Sequence, residues 1–160
     1  NEPAPARTDL ERSLELLPTA QAHYLLGNLD KQAGNHELAR KHYEQAAQSD
    51  SKAGINAQRE LVLMDISSNP GKYVATSQAA DDEGRIYCLL GNRTKVDLTG
   101  ISVRATFIDD GGRSRQTSKV FGSVLPGGKQ DNLRFGWSTA NSANLEQRVR
   151  CEILQAKVAD

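Results

Sequence analysis

Residues 61–90 read LVLMDISSNPGKYVATSQAADDEGRIYCLL, and the spacing of apolar residues changes partway along them. Ahead of Asn69-Pro70-Gly71, Ile55, Leu61, Val62 and Met64 follow a helical period. They predict a helix over 53–66 that stops before the proline, whose ring disfavours helical backbone in the preceding residue. Beyond Gly71 the period is two. Ile86, Cys88 and Leu90 alternate with Arg85, Tyr87 and Leu89, as expected of a strand. One element cannot serve both periods, so a boundary falls near residue 70.

Upstream, the helical spacing continues. Thr8-Asp9-Leu10-Glu11 has capping-box spacing ahead of Leu10, Leu14 and Leu17, and Pro18 ends that element. A second helix is predicted over 19–34, with Tyr24, Leu25 and Leu29 among its anchors. Gly34 breaks it, and Asn35 is placed to cap a third helix, HELARKHYEQAAQ. Short turns force these helices against their neighbours, because each apolar stripe needs cover. The polar, proline-containing residues 1–7 are expected to be a flexible lead-in.

Downstream, Ile101, Val103, Ala105 and Phe107 alternate with polar neighbours. Leu133, Phe135 and Trp137, then Val149, Cys151 and Ile153, repeat the pattern. Gly91-Asn92, Asp109-Asp110-Gly111-Gly112 and Pro126-Gly127-Gly128 supply turns between these runs. The expected fold class is therefore α+β: helices over 8–70, then an antiparallel, immunoglobulin-like β-sandwich over 71–160.

The 160 residues are 38% hydrophobic and 25% charged, a composition suited to a folded chain, and the formal net charge is zero. Residues 1–70 carry seven basic and ten acidic side chains, and residues 71–160 carry thirteen and ten. Neither imbalance drives nucleic-acid or membrane binding by electrostatics alone. No apolar run approaches the roughly eighteen residues needed to span a bilayer.

The stretch AQAHYLLGNLDKQAGNHELARKHYEQAAQSDS, residues 20–51, resembles one tetratricopeptide repeat. Leu26-Gly27 stands at the family's Leu-Gly pair. Gly34 stands at its turn, and Ala39, Tyr43 and Ala46 at its small, aromatic and small positions. Gly27 and Ala39 are expected to let two helices approach, with the flanking helices covering the hairpin. His23, Asp30 and Ser51 depart from the pattern, where an aromatic, a tyrosine and a proline are usual. The resemblance implies a surface for a protein or peptide, with Asn28, Lys31 and Gln32 as the candidate contacts.

The strand half resembles the small bacterial β-sandwich known by an F-x-L-Y-D signature. The matching stretches are Gly91-Asn92-Arg93-Thr94, Thr106-Phe107-Ile108-Asp109, and Leu125-Pro126-Gly127-Gly128 before Asn132-Leu133-Arg134-Phe135. That family is mostly non-catalytic and envelope-associated. Asn92-Arg93-Thr94 also fits the N-glycosylation acceptor pattern, but a turn explains the same residues. The run LLPTAQAHYLLGNLDKQAGNHELARKHYEQAAQ further resembles the repeat region that follows the catalytic domain in some periplasmic zinc metallopeptidases. Their HExxH helix has no counterpart here.

Cys88 and Cys151, the two cysteines, sit in strand-like runs without metal or redox spacing. A disulfide between first and last strands is favoured over two buried thiols. It points to the periplasm or another extracytoplasmic site, with any membrane attachment supplied by sequence preceding residue 1. His23 and His42 fall on consecutive helices but lack a ligand pair at i,i+4, so no metal is assigned. No pattern for a catalytic residue or a cofactor is found. The acidic runs Asp81-Asp82-Glu83 and Asp109-Asp110 read as solvated loops. Arg104, Arg113, Arg115 and Lys119 are expected to form a basic patch on one outer sheet face, suited to an acidic peptide or anionic surface. The functional expectation is a non-catalytic protein-binding or assembly module of the bacterial envelope. Two alternatives stand beside it: the substrate-positioning C-terminal region of a longer periplasmic zinc metallopeptidase, and a structural part of an envelope complex.

Overall fold

The computed structural model describes residues 3–140 and 142–160. Four helices come first: α1 Pro3–Leu16, α2 Ala20–Gln32, α3 His36–Ala46 and α4 Lys52–Asp65. A short helix, α5 Pro70–Tyr73, leads into β1 Val74–Ala80, β2 Arg85–Asn92, β3 Leu98–Ile108, β4 Ser114–Phe121 and β5 Gln130–Ser138. The helical turn α6 Leu145–Arg148 precedes β6 Val149–Val158. The chain is thus a mixed α+β fold, with helices followed by antiparallel sheets. Its two compact units divide between Met64 and Asp65.

In the helical unit, Thr19 caps α2 by accepting from the Ala22 amide at 3.1 Å. Gly34, at φ 78°, turns the chain after α2, and the Asn35 amide reaches back to the Asp30 carbonyl at 2.8 Å. Asn35 occupies the cap position of α3, but its side chain makes no capping hydrogen bond, contrary to expectation. The core gathers Ala39, Tyr43, Ala46 and Ala57, with Tyr24, Leu61 and Met64 packed against them. Gly27 lies against the Tyr43 ring, so α2 and α3 approach through a residue without a side chain.

The chain start departs from expectation. Residues 3–7, read as a flexible lead-in, are the opening turns of α1, while residues 1–2 lie outside the described residues. Thr8 therefore lies inside the helix and does not cap it. Early proline is compatible with a helix because first-turn amides have no intrahelical acceptor. The contact from Arg7 to Asp30 then fixes α1 to α2, and local sequence does not reveal that contact.

In the second unit, Asp65 organises the entry. Its carboxylate accepts from Asn69 Nδ2 at 2.6 Å, Lys72 Nζ at 2.8 Å and the Tyr73 hydroxyl at 2.7 Å. These donors hold its pKa well below the usual carboxylate range, Lys72 contributing most.

Two three-stranded sheets follow, ordered β1-β2-β5 and β4-β3-β6, with all pairs antiparallel. Ile86, Cys88 and Leu90 from the first sheet are buried, as are Val103, Ala105 and Phe107 from the second. Ile86, Phe107, Leu145 and Val149 form one core cluster with half-buried Trp137. The Cys88–Cys151 disulfide ties β2 to β6 and so joins the sheets, with a Cα separation of 6.1 Å. This bears out the disulfide reading. Asn92 is buried and donates to the carbonyls of Val96 at 2.8 Å and Leu125 at 3.0 Å. Its amide is committed to the turn, the reading preferred over glycosylation.

Candidate functional site

A polar cluster occupies the face of the helical unit where α1, α2 and α3 meet. Asp30 lies four residues after Leu26, on the buried stripe of α2, and is 0% exposed. Its Oδ1 accepts from Arg7 of α1. Its Oδ2 has no hydrogen-bond partner among the described residues, and His42 Nε2 of α3 faces it at 3.6 Å. The other side of the His42 ring meets His23 of α2, with the two Nδ1 atoms 3.2 Å apart. The ring centroids are 5.5 Å apart. That exceeds the nitrogen separation by about two ring radii, so the nitrogens point nearly straight at each other. This is the geometry of one N–H donating to one bare nitrogen. Burial and the neighbouring His42 lower the His23 pKa.

A mixed groove of about 390 Å³ lies on the same unit, lined by Lys31, His36, Glu37, Arg40, Leu63 and Met64. Leu63 is 44% exposed there, and Leu38 nearby in sequence is 47% exposed.

The residues singled out from sequence are placed as follows. Asn28 is half-buried and accepts from the Tyr43 hydroxyl at 2.8 Å, so it braces the core. Lys31 pairs with Glu60 while lining the groove, and Gln32 is exposed. The register of β3 against β4 pairs Val103 with Lys119 and Phe107 with Arg115. Directly opposed residues share a face, so Lys119 and Arg115 belong to the core-side face, whereas Arg104 alternates with buried neighbours and points outward. The sheet therefore does not bring the four cations onto one face. Arg104 meets Glu152 at 3.3 Å, and Asp109 takes both Arg113 at 3.5 Å and Arg115 at 3.4 Å. Lys119 donates to the Arg134 carbonyl of β5 at 2.9 Å.

The acidic runs also have defined duties. Asp81 accepts from Arg85 and Arg134, and Asp109 accepts from the amides of Gly111 and Arg113. Sequence reasoning missed Arg7, Asp30 and Arg40. For Asp30 a signal existed, since a carboxylate on an apolar helical stripe requires a buried partner.

Among the described residues, no group of three or more His, Cys, Asp or Glu side chains is placed to hold a metal ion. Among them, too, no helix is long and apolar enough to cross a membrane. In comparisons with known proteins, no protein-family model, no curated protein and no solved structure matches this chain.

Proposed function

We propose that this chain is a non-catalytic protein-binding module of the bacterial cell envelope, whose helical half engages a peptide segment of its partner. The observation that carries the reading is the groove lined by Lys31, His36, Glu37, Arg40, Leu63 and Met64. It combines exposed aliphatic surface with guanidinium and imidazole groups, a mixture suited to a segment with an apolar anchor beside a carboxylate. The close seat of Gly27 on Tyr43 and the burial of Ala39 and Ala46 support a tetratricopeptide-like hairpin. Two facing antiparallel sheets support an immunoglobulin-like sandwich of the F-x-L-Y-D kind. The Cys88–Cys151 disulfide favours an oxidising compartment such as the periplasm.

The test is selection of random displayed peptides on the immobilised full chain, repeated on Arg40→Glu and Leu63→Asp variants. Enriched peptides should pair an acidic residue with an apolar one, and both variants should lose them. No enrichment, or peptides that bind all three proteins alike, would remove the groove as the binding site.

A further inference from the structure

We propose that His23 and His42 form a proton-operated latch between α2 and α3, which holds with one added proton and opens with two. The latch rests on geometry. The in-line Nδ1 pair has room for a single hydrogen between its nitrogens. On the far side of His42, the buried Asp30 Oδ2 needs a donor, and His42 Nε2 is the group that faces it. With both rings neutral, the tautomers follow. His42 carries its hydrogen on Nε2, toward Asp30, and leaves Nδ1 bare. His23 donates through Nδ1 and presents a bare Nε2.

The first proton enters at His23 Nε2. Transfer of the shared hydrogen from His23 Nδ1 to His42 Nδ1 then leaves His23 neutral and makes His42 the imidazolium, beside the Asp30 carboxylate. The Nδ1 contact survives with donor and acceptor exchanged. A second proton has no such outlet. It places hydrogens on both Nδ1 atoms and two positive charges on facing rings, so the contact must break. The charged surroundings are specific. From α1, Arg7 already holds Asp30 Oδ1, with Glu11 bound to Arg7 at 3.5 Å. From α2 come Asp30 and His23, and from α3 comes His42. On α4, Glu60 is engaged by Lys31. Asp30 is thus shared between Arg7 and the first imidazolium, and among the described residues no other carboxylate pairs with either imidazole.

The experiment is a side-chain NMR titration of the full chain between mildly alkaline and acidic pH, with amide hydrogen exchange followed over α2 and α3. His23 and His42 should titrate as a coupled pair in two separated steps. Amide protection in α2 and α3 should hold through the first step and fall about tenfold through the second, after correction for intrinsic exchange. In His23→Gln the lower step and its loss of protection should vanish. In Asp30→Asn the first step should move to lower pH; if that variant does not fold, the His23→Gln comparison decides alone. Independent single steps, or protection unchanged through the second step, would overturn the latch.

Discussion

Gly27 is packed so closely on Tyr43 that an added methyl would lie 2.6 Å from ring carbon Cε1 and 2.7 Å from Cδ1. Helix propensity alone favours alanine over glycine by about 1 kcal/mol. Overpacking a tight site costs about 1–3 kcal/mol. Which effect wins depends on whether the ring can move. Tyr43 is fully buried, and its hydroxyl is tied to Asn28, so the ring has little freedom. Gly27→Ala should therefore lower the stability of the helical unit by about 1–2 kcal/mol in urea denaturation. Gly54 is the stricter case, because its added methyl would meet the Ser49 carbonyl oxygen at 1.9 Å. Backbone cannot rotate aside like a side chain, so Gly54→Ala should cost about 3 kcal/mol or more. A smaller loss at Gly54 than at Gly27 would contradict this account of the two contacts.

At the scale of elements, legibility in the sequence followed the strength of the apolar period. α2, α3 and α4 emerged within a residue or two of their observed ends, as did β2 and the core of β3. β1, reading VATSQAA, and β4, reading SRQTSKVF, did not. Neither presents large apolar residues at every second position, and most of β4 is exposed. They pair because β2 and β3 offer open edges and the turns deliver them there, and both causes are tertiary. The site divided similarly. His23 and His42 could be put on consecutive helices, but the links to Arg7 and Asp30 depend on the packing of α1, which local sequence does not encode. The cysteine pairing was readable because two cysteines in opposed strands leave one intramolecular partner. It joins residues 63 apart and so constrains much of the unfolded strand unit. Chain-entropy arguments give about 4 kcal/mol for a loop of this size. Reduction should lower the denaturation midpoint reported by Trp137, the single tryptophan, and leave the helical unit's transition in place. A Trp137 transition insensitive to reductant would show that the bond contributes little.

For the whole molecule, the two units should respond to acid in different pH windows. His23 has a folded-state pKa below its ordinary value, through burial and the neighbouring His42. The unfolded chain therefore binds protons first as pH falls, and the helical unit loses stability from about pH 6.5 downward. In the second unit the controlling groups are carboxylates with lowered values. Lys72 acts most strongly on Asp65, Arg134 on Asp81, the Arg113 amide on Asp109 and Arg148 on Asp110. A depressed carboxylate contributes stability that is complete above its unfolded value, near pH 4, and is lost as pH falls through its folded one. Between about pH 6.5 and pH 4, helical circular dichroism should decline toward a less stable unit while Trp137 fluorescence keeps its native form. Below that window the tryptophan signal should follow. His23→Gln should flatten the upper limb and leave the lower one untouched, since the groups are on separate units. If both signals fell together, or the tryptophan signal fell first, the assignment of acid sensitivity to the histidine-bearing helices would fail.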